Sequence, residues 1–382
     1  MARTRDHDAC PGALTVHRAA DGALVRIRLA GGMISAPQLA TLAGIAKDFG
    51  SDAMELTSRG NIQLRALTDT DAVAAALTGA GLLPSTTHER VRNIVASPLS
   101  GRAGGLADVR GLVGDLDAAI QAAPVLAELP GRFWFSLDDG RGDVSGLAAD
   151  VGIHLVEPGQ AALVLAGTDT GVRLAPGDTV ATLTGIAERF AGIRGKAWRV
   201  AELDDASELL AGLPVTAEPG AQWPPTVRPP VGWIAQADDR VALGAALPLG
   251  VLQARVAEFL AAVEAPLVIT PWRSVLLCDL SEEVAEVAVR VLAPMGLVFD
   301  ENSPWLDVSA CTGSPGCAKS IADVRADAAE AVQTPTGTHR HFVGCERACG
   351  SPAVGEVLVA TADGYRAREE QDGYRAREEQ DP

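Results

Sequence analysis

The sequence predicts an α+β protein built as two pseudo-symmetric halves, each a β-α-β-β-α unit followed by a second, mixed α/β unit. Three observations predict this. Strand and helix periodicities follow one another in β-α-β-β-α order from Ala23 to Gly79. The same order returns from Arg240 to Leu292. After each copy comes a related short segment, Ile94-Val-Ala96-Ser97 in the first and Val308-Ser-Ala310-Cys311 in the second. A repeat at half-chain period implies two units that pack on each other and share a site.

The elements are justified in order. Ala23 to Leu29 alternates apolar residues with Arg26 and Arg28, as a half-buried strand does. Gly31-Gly32 ends it. Ser35 can cap a helix with Pro37 in its first turn, running to about Phe49 with Leu39, Leu42, Ile45, Ala46 and Phe49 on one face. Met54–Thr57 and Ile62–Ala66 form a strand pair around Ser58-Arg59-Gly60-Asn61, and Asp69 to Gly79 is a helix. This order is ferredoxin-like. In the second copy Gln253 to Val263 and Ser281 to Leu292 are the helices, and Leu267–Thr270 and Arg273–Cys278 the strand pair. Between the copies, Gly131–Ser136 reads as a strand, Ala161–Ala166 and Gly171–Leu174 as a hairpin, and Thr182–Phe190 as a helix. Pro214 to Pro230 is the linker. The expected divisions are 1–85, 86–220, 221–300 and 301–362, with 363–382 a charged surface tail. That tail repeats Asp-Gly-Tyr-Arg-Ala-Arg-Glu-Glu-Gln directly.

Composition narrows the function. A formal net charge of −17 argues against a general nucleic-acid or anionic-membrane binder. No stretch of 18 apolar residues could span a membrane, and the first residues lack an apolar core of a signal peptide, so a cytoplasmic location is expected. No Gly-x-Gly-x-x-Gly follows a strand, so no built-in nicotinamide or flavin site is expected.

Four of the six cysteines fall between Cys311 and Cys349. They read Cys311-Thr-Gly-Ser-Pro-Gly-Cys317 and Cys345-Glu-Arg-Ala-Cys349. Grouped thiolates ask for a soft metal centre. Zinc sites usually show Cys-x₂₋₄-Cys pairs, which the five-residue gap fits poorly. Disulfides need an oxidising compartment. An iron–sulfur cluster fits best, and the small residues let backbone wrap it closely. Ser97 stands where Cys311 stands, so the first half is expected to carry no cluster. Cys10 and Cys278 read as structural thiols. His339 and His341 read as charged residues on a polar turn, and His88 and His154 show no paired spacing.

Arginines gather at turns after strands: Arg59 and Arg65, Arg90 and Arg92, Arg132, and Arg194-Gly-Lys196-Ala-Trp-Arg199. Guanidinium forks bind carboxylates two oxygens at a time.

These motifs carry a family resemblance. Cys-Thr-Gly-x₃-Cys with Gly-Cys-x₃-Cys resembles the sirohaem and [4Fe–4S] signature of the nitrite and sulfite reductase superfamily. The resemblance implies a ferredoxin-like half-domain followed by a reductase-like α/β domain in each half. It implies a [4Fe–4S] cluster on Cys311, Cys317, Cys345 and Cys349, with Cys349 at the position that also bridges to sirohaem. Thr57-x-Arg59-x-Asn61-Ile-Gln63 and Arg92-Asn93-Ile94-Val95 resemble active-site segments of that superfamily. Leu129-Pro-Gly-Arg132-Phe-Trp134 resembles a Leu-Pro-x-Lys-Phe-Lys segment, whose two lysines help bind and protonate the inorganic substrate. Here those positions hold Arg132 and Trp134. Arginine is a poor proton donor near neutral pH and indole is not an acid, so reduction of sulfite or nitrite is disfavoured.

Ala9-Cys10-Pro11-Gly12, Asp21 to Gly32, Leu56 to Arg65 and Pro229-Pro-Val-Gly232-Trp233 resemble the precorrin-3B synthases of oxygen-dependent cobalamin biosynthesis, one branch of the superfamily. The resemblance covers residues 8–360. It implies a monooxygenase acting on precorrin-3A with O₂ and an external electron donor, either an NADH-linked reductase or a ferredoxin. It implies hydroxylation of a meso carbon with γ-lactone closure, and a second, mononuclear non-haem iron to activate O₂. Arg59, Arg92 and Arg132 are then the catalytic candidates. Arg59, Asn61, Arg65, Arg92, Arg132, Trp134 and Lys196 are the substrate-binding set. The alternatives are a sirohaem-[4Fe–4S] sulfite or nitrite reductase and, outside enzymes, an iron–sulfur electron carrier or redox sensor.

Overall fold

The computed structural model describes residues 10–368; residues 1–9, among them Ala9 of the Ala9–Gly12 motif, and 369–382, with the second copy of the terminal repeat, lie outside them. The first unit comprises β1 (His17–Ala19), β2 (Gly22–Ile27), β3 (Met33–Ile34), α1 (Ala36–Phe49), β4 (Ala53–Leu56), β5 (Ile62–Leu67) and α2 (Thr70–Gly79). The α1 start is the one the sequence announces. Ser35 accepts from the Gln38 amide and the Gln38 side chain accepts from the Ser35 amide, a capping box worth about 1 kcal/mol.

The second unit holds β6 (Ile94–Ala96), α3 (Arg110–Ala122), β7 (Phe135–Asp138), β8 (Val151–Glu157), β9 (Gln160–Leu165), β10 (Thr168–Leu174) and α4 (Pro176–Ile193). The strand expected at Gly131–Ser136 begins only at Phe135. Residues 131–134 are instead a loop tied down by Asn93, whose Nδ2 donates to Gly131 O (2.9 Å) and Phe133 O (3.2 Å). The α4 helix is longer than its expected Thr182–Phe190 because Pro176 opens it.

The third unit repeats the first: β11 (Gly232–Ala235), β12 (Val241–Ala246), β13 (Val251–Gln253), α5 (Ala254–Ala262), β14 (Leu267–Ile269), β15 (Ser274–Leu280) and α6 (Glu282–Leu292). The fourth holds β16 (Val308–Ala310), α7 (Val324–Ala331), β17 (Arg340–Val343), β18 (Glu356–Thr361) and β19 (Gly364–Ala367). The start of the expected tail is therefore a strand: Gly364–Ala367 pairs antiparallel with Leu358–Thr361.

The repeat is geometric as well as sequential. The first and third units form sheets ordered β1-β2-β5-β4-β13 and β11-β12-β15-β14-β3. Each borrows its last strand from the other: Val251–Gln253 pairs with Ala53–Glu55, and Met33–Ile34 pairs with Leu267–Val268. The helices α1 and α5 pack together, and one continuous apolar core spans both units, from Val25, Leu39 and Leu64 to Leu243, Leu260 and Leu277. Before each borrowed strand the backbone turns left-handed, at Gly31-Gly32 and at Leu249-Gly250. Gly32 is required by proximity too, since a Cβ there would lie 2.0 Å from Ile269 O.

The second and fourth units share a pattern. Three parallel strands, β6-β7-β8 or β16-β17-β18, are followed by an antiparallel neighbour. Segments 94–96 and 308–310 are the corresponding first strands, as the sequence suggested.

Candidate active site

The cysteine motif lies on two loops at the ends of parallel strands. Cys311 follows β16, with its N–H donating to Phe342 O (2.9 Å). Cys345 and Cys349 follow β17. None of the four cysteines is in a disulfide, and all are of intermediate exposure. The Gly344 N–H donates to Cys311 Sγ at 3.4 Å. Gly313 and Gly350 take left-handed φ values of 70° and 76° where the loops turn. Burial pushes the Cys311 thiol up, the amides of Gly344 and Gly313 oppose this, and Cys317 and Cys345 are near enough to add to it. Among the described residues, no three His, Cys, Asp or Glu side chains converge tightly enough for a single metal ion. A tetrahedral zinc would draw its sulfurs to about 2.3 Å. The donors that an iron–sulfur cluster would use here are the four thiols, with the Gly344 amide aimed at Cys311 Sγ.

Each loop is braced by an arginine from a different ferredoxin-like unit. Arg65 on β5 donates from Nη2 to Gly316 O (2.8 Å) and from Nη1 to Thr312 Oγ1 (3.5 Å). Its other edge pairs with Asp21, Nε to Oδ2 at 2.9 Å and Nη2 to Oδ1 at 3.0 Å. Glu55 on β4 pairs with Arg325 of α7, the helix that follows this loop (2.5 Å). On the other side Arg273 Nη2 donates to Gly350 O (3.2 Å).

His341 braces the second loop from below. Its expected place on a polar turn is wrong: it is fully buried on β17, and burial and Arg273 hold it neutral, with a pKa pushed down to about 3. Its Nε2 meets Cys349 O (2.9 Å) and its Nδ1 meets Ser309 Oγ (2.7 Å). Ser309 Oγ also meets His339 Nε2 (2.8 Å), whose Nδ1 lies 3.2 Å from Leu306 O.

The arginine set divides. Arg92 is fully engaged, its Nε and Nη2 both on Asp117 of α3 (2.7 and 2.8 Å). Arg199 is buried against Asp150 (2.7 Å) and donates to Ala148 O. Arg59 and Arg132 keep their guanidiniums against aromatic faces. Arg59 lies over Trp134 at 5.7 Å from the ring centre, and Arg132 over Trp198 at 5.4 Å. Arg199 also lies 5.9 Å from the Trp134 ring centre, and the buried Trp134 Nε1 has no hydrogen-bond partner among the described residues. Asn61 joins the first two units, accepting from the Leu29 amide (2.9 Å) and donating to Asn93 Oδ1 (3.3 Å). Lys196 is exposed on the turn after α4. The duplicated turn holds a surprise: Thr270 bonds Ser274 as Thr57 bonds Asn61, so Trp272 takes Arg59's place and Arg273 takes that of Gly60.

Sequence reading missed Arg26 and Arg28 as site residues. Arg26 sits on β2 and Arg28 just after it, and the Arg-x-Arg alternation was the available signal. Arg26 donates to Gln63 Oε1 (2.9 Å) and lies 3.8 Å from Cys10 Sγ.

The first half shows the corresponding loops without thiols. The Asp139 amide donates to Ser97 Oγ (3.1 Å), as Gly344 does to Cys311. The following loop turns its amides inward onto the Asp138 carboxylate, which accepts from Gly140, Gly142, Val144 and Ser145 at 2.9–3.0 Å. Burial works against that charge, but His154 and the loop amides hold Asp138 down to about 2. Asp143, which accepts from Ser97 Oγ at 2.6 Å, is instead pushed up to about 7 by burial and by Asp138. A cavity of about 890 Å³ opens elsewhere, between Met33–Ala40 and Glu258–Val268, and none of the expected site residues line it.

Comparison with known proteins agrees with this geometry. Residues 17–79 match the nitrite/sulfite reductase ferredoxin-like half domain. Over 377 residues the chain is 28% identical to the precorrin-3B synthase of a Sinorhizobium species, covering 94% of this chain and 81% of that one. It is 34% identical over 127 residues to ferredoxin–nitrite reductase of Synechococcus elongatus, 31% of this chain and 25% of the relative. Among solved structures, the NirA protein of Mycobacterium tuberculosis superposes with a TM-score of 0.74 at 18% identity, covering 90% of this chain and 73% of that one. No helix among the described residues is long and apolar enough to cross a membrane.

Proposed function

We propose, on the premise that the chain is a nitrite/sulfite reductase superfamily protein resembling precorrin-3B synthase, that it is an oxygen-dependent monooxygenase converting precorrin-3A to precorrin-3B. The substrate gains one oxygen atom from O₂ as a meso carbon is hydroxylated and a ring-A acetate closes as a γ-lactone. The other oxygen atom leaves as water, with two electrons from an external donor and two protons. The observation that carries the reading is the likeness to precorrin-3B synthase along nearly the whole chain.

The residues support it. Cys311, Cys317, Cys345 and Cys349 would hold a [4Fe–4S] cluster, which supplies electrons one at a time. Arg59, Arg132, Lys196 and Asn61 would face the carboxylate-rich macrocycle, with Trp134 walling the cavity. Arg65 and Arg92, already filled by Asp21 and Asp117, would act by bracing the segments that carry the ligands. For a mononuclear iron the described residues offer no converging His and carboxylate set, and the reading does not include one. Arg132 and Trp134 leave the site without the two proton donors that a multi-proton reduction uses.

A sirohaem-dependent reductase is the second reading, favoured by the partial match to ferredoxin–nitrite reductase. One experiment separates them. Anaerobically purified protein is analysed by absorption spectroscopy and for iron and sulfide, then given precorrin-3A, reductant and ¹⁸O₂. The expected result is a broad cluster band and a product carrying one ¹⁸O. Intense Soret and red bands, with sulfite or nitrite reduction and no labelled product, would overturn the monooxygenase reading.

A further inference from the structure

One buried arginine lacks the partner its burial calls for. Arg28, just after β2, is 3% exposed. Its Nε donates to Arg90 O and its Nη2 to Pro11 O, both at 3.2 Å, and Nη2 also lies 4.0 Å from Cys10 Sγ. Its Nη1 has no hydrogen-bond partner among the described residues. Buried polar groups are almost always paired, and a buried cation more strictly so.

The surroundings sharpen the deficit. Burial depresses the Arg28 pKa to about 9, with Arg26 and Arg59 close enough to add repulsion, against the opposing pull of Cys10 and Glu89. Glu89 does not pair with it, because that carboxylate is spent on the amides of Ala13, Leu14 and Thr15. The adjoining carbonyl, Gly131 O, is occupied too: it accepts from Asn93 Nδ2 (2.9 Å), Arg59 Nη1 (3.5 Å) and Cys10 Sγ (3.6 Å). Donors therefore converge here and the nearby acceptors are used up. That is the electrostatic outline of an anion site. It lies beside the 129–134 loop that carries Arg132 and Trp134.

We propose that Arg28 Nη1 is the inner donor of a carboxylate subsite, with Arg26 and Arg59 beside it, that takes one acetate or propionate arm of the tetrapyrrole. The subsite itself stands on Arg28. The identity of the molecule that brings the carboxylate rests on the proposed function.

The test uses two probes on the full chain, sodium acetate and the octacarboxylate uroporphyrin, with Arg28→Gln and Arg28→Lys compared with wild type. In thermal melts at matched ionic strength, acetate should stabilise wild type over chloride saturably, and this gain should vanish in Arg28→Gln. Uroporphyrin binding, read by tryptophan quenching, should weaken about 10- to 100-fold, the worth of one charge-assisted hydrogen bond. Arg28→Lys keeps the charge but loses the fork, so it should weaken binding by a smaller factor; it also serves if the glutamine variant fails to fold. Equal acetate stabilisation or equal uroporphyrin affinity in wild type and variant overturns the subsite. An Arg28-dependent acetate effect in a protein that binds no tetrapyrrole upholds the subsite and counts against the proposed function instead.

Discussion

Arg65 offers the sharpest decision, because sequence and structure give it different work. The resemblance placed it among substrate ligands, whereas its contacts tie the Cys311–Cys317 loop to the first sheet. Arg65→Met removes two charge-assisted bonds to Asp21 and one to Gly316 O. The Gly316 carbonyl loses its donor at a cost of about 1–3 kcal/mol. The Asp21 side chain is 25% exposed, so water takes over much of its share, leaving about 1 kcal/mol. The sum is about 2–4 kcal/mol. Applied to opening of the loop, that raises the open fraction about 30- to 1000-fold. The assay is the rate at which the cluster absorbance of anaerobic, reconstituted protein bleaches with a chelator present. The substitution should speed bleaching by an order of magnitude or more and lower bound iron. If iron content and bleaching match wild type while only tetrapyrrole affinity falls, the bracing argument is wrong and Arg65 is a substrate ligand.

Three further expectations follow from the same geometry. Asp143 binds its proton up to about pH 7 against an ordinary value of 3.8, so the folded state holds more protons than the unfolded one between those values. Its contribution is complete below about pH 4 and is lost as pH rises through 7; urea titrations should show Asp143→Asn with a flatter pH profile and about 2–4 kcal/mol more stability at pH 8. Ser97→Cys should recruit no additional iron by elemental analysis, because Asp138 already fills the loop amides, while Asp138→Ala should cost about 3–5 kcal/mol in the same titrations. Trp134→Phe removes an unpartnered N–H and keeps an aromatic face for Arg59 and Arg199, so the melting temperature should stay within about 4 °C of wild type; a weaker uroporphyrin complex in that variant would assign the indole N–H to the ligand.

Local signals made part of this molecule legible. Ser35, Pro37 and Gln38 state a helix start in their own chemistry, and the four clustered cysteines, expected as soft-metal ligands, fall on the loops that follow β16 and β17. The elements that escaped lack such signals. The α3 helix begins at Arg110 with no side-chain cap and contains Gly111 and Gly114. The β8 strand buries five successive residues from Val151 to Leu155, so no alternation marks it. The borrowed strands are only two and three residues long, and their pairing is decided by the partner half. Arginine partnerships were the least legible of all. Arg65 meets Gly316, Arg92 meets Asp117 and Arg28 meets none at Nη1, and nothing within a few residues of each announces the difference. His341 failed for a related reason: a histidine between Arg340 and Phe342 looks polar until parallel neighbours on both sides bury it.

The exchange of β3 and β13 makes the molecule the single-chain counterpart of a domain-swapped dimer. Each sheet is completed by the other half, which also covers an edge that would otherwise be open to stray pairing. Structural integrity is thereby vested in the crossing rather than in either loop that follows a first parallel strand. The two halves can therefore differ there, with Cys311 in one and Ser97 and Asp138 in the other, without loosening the whole.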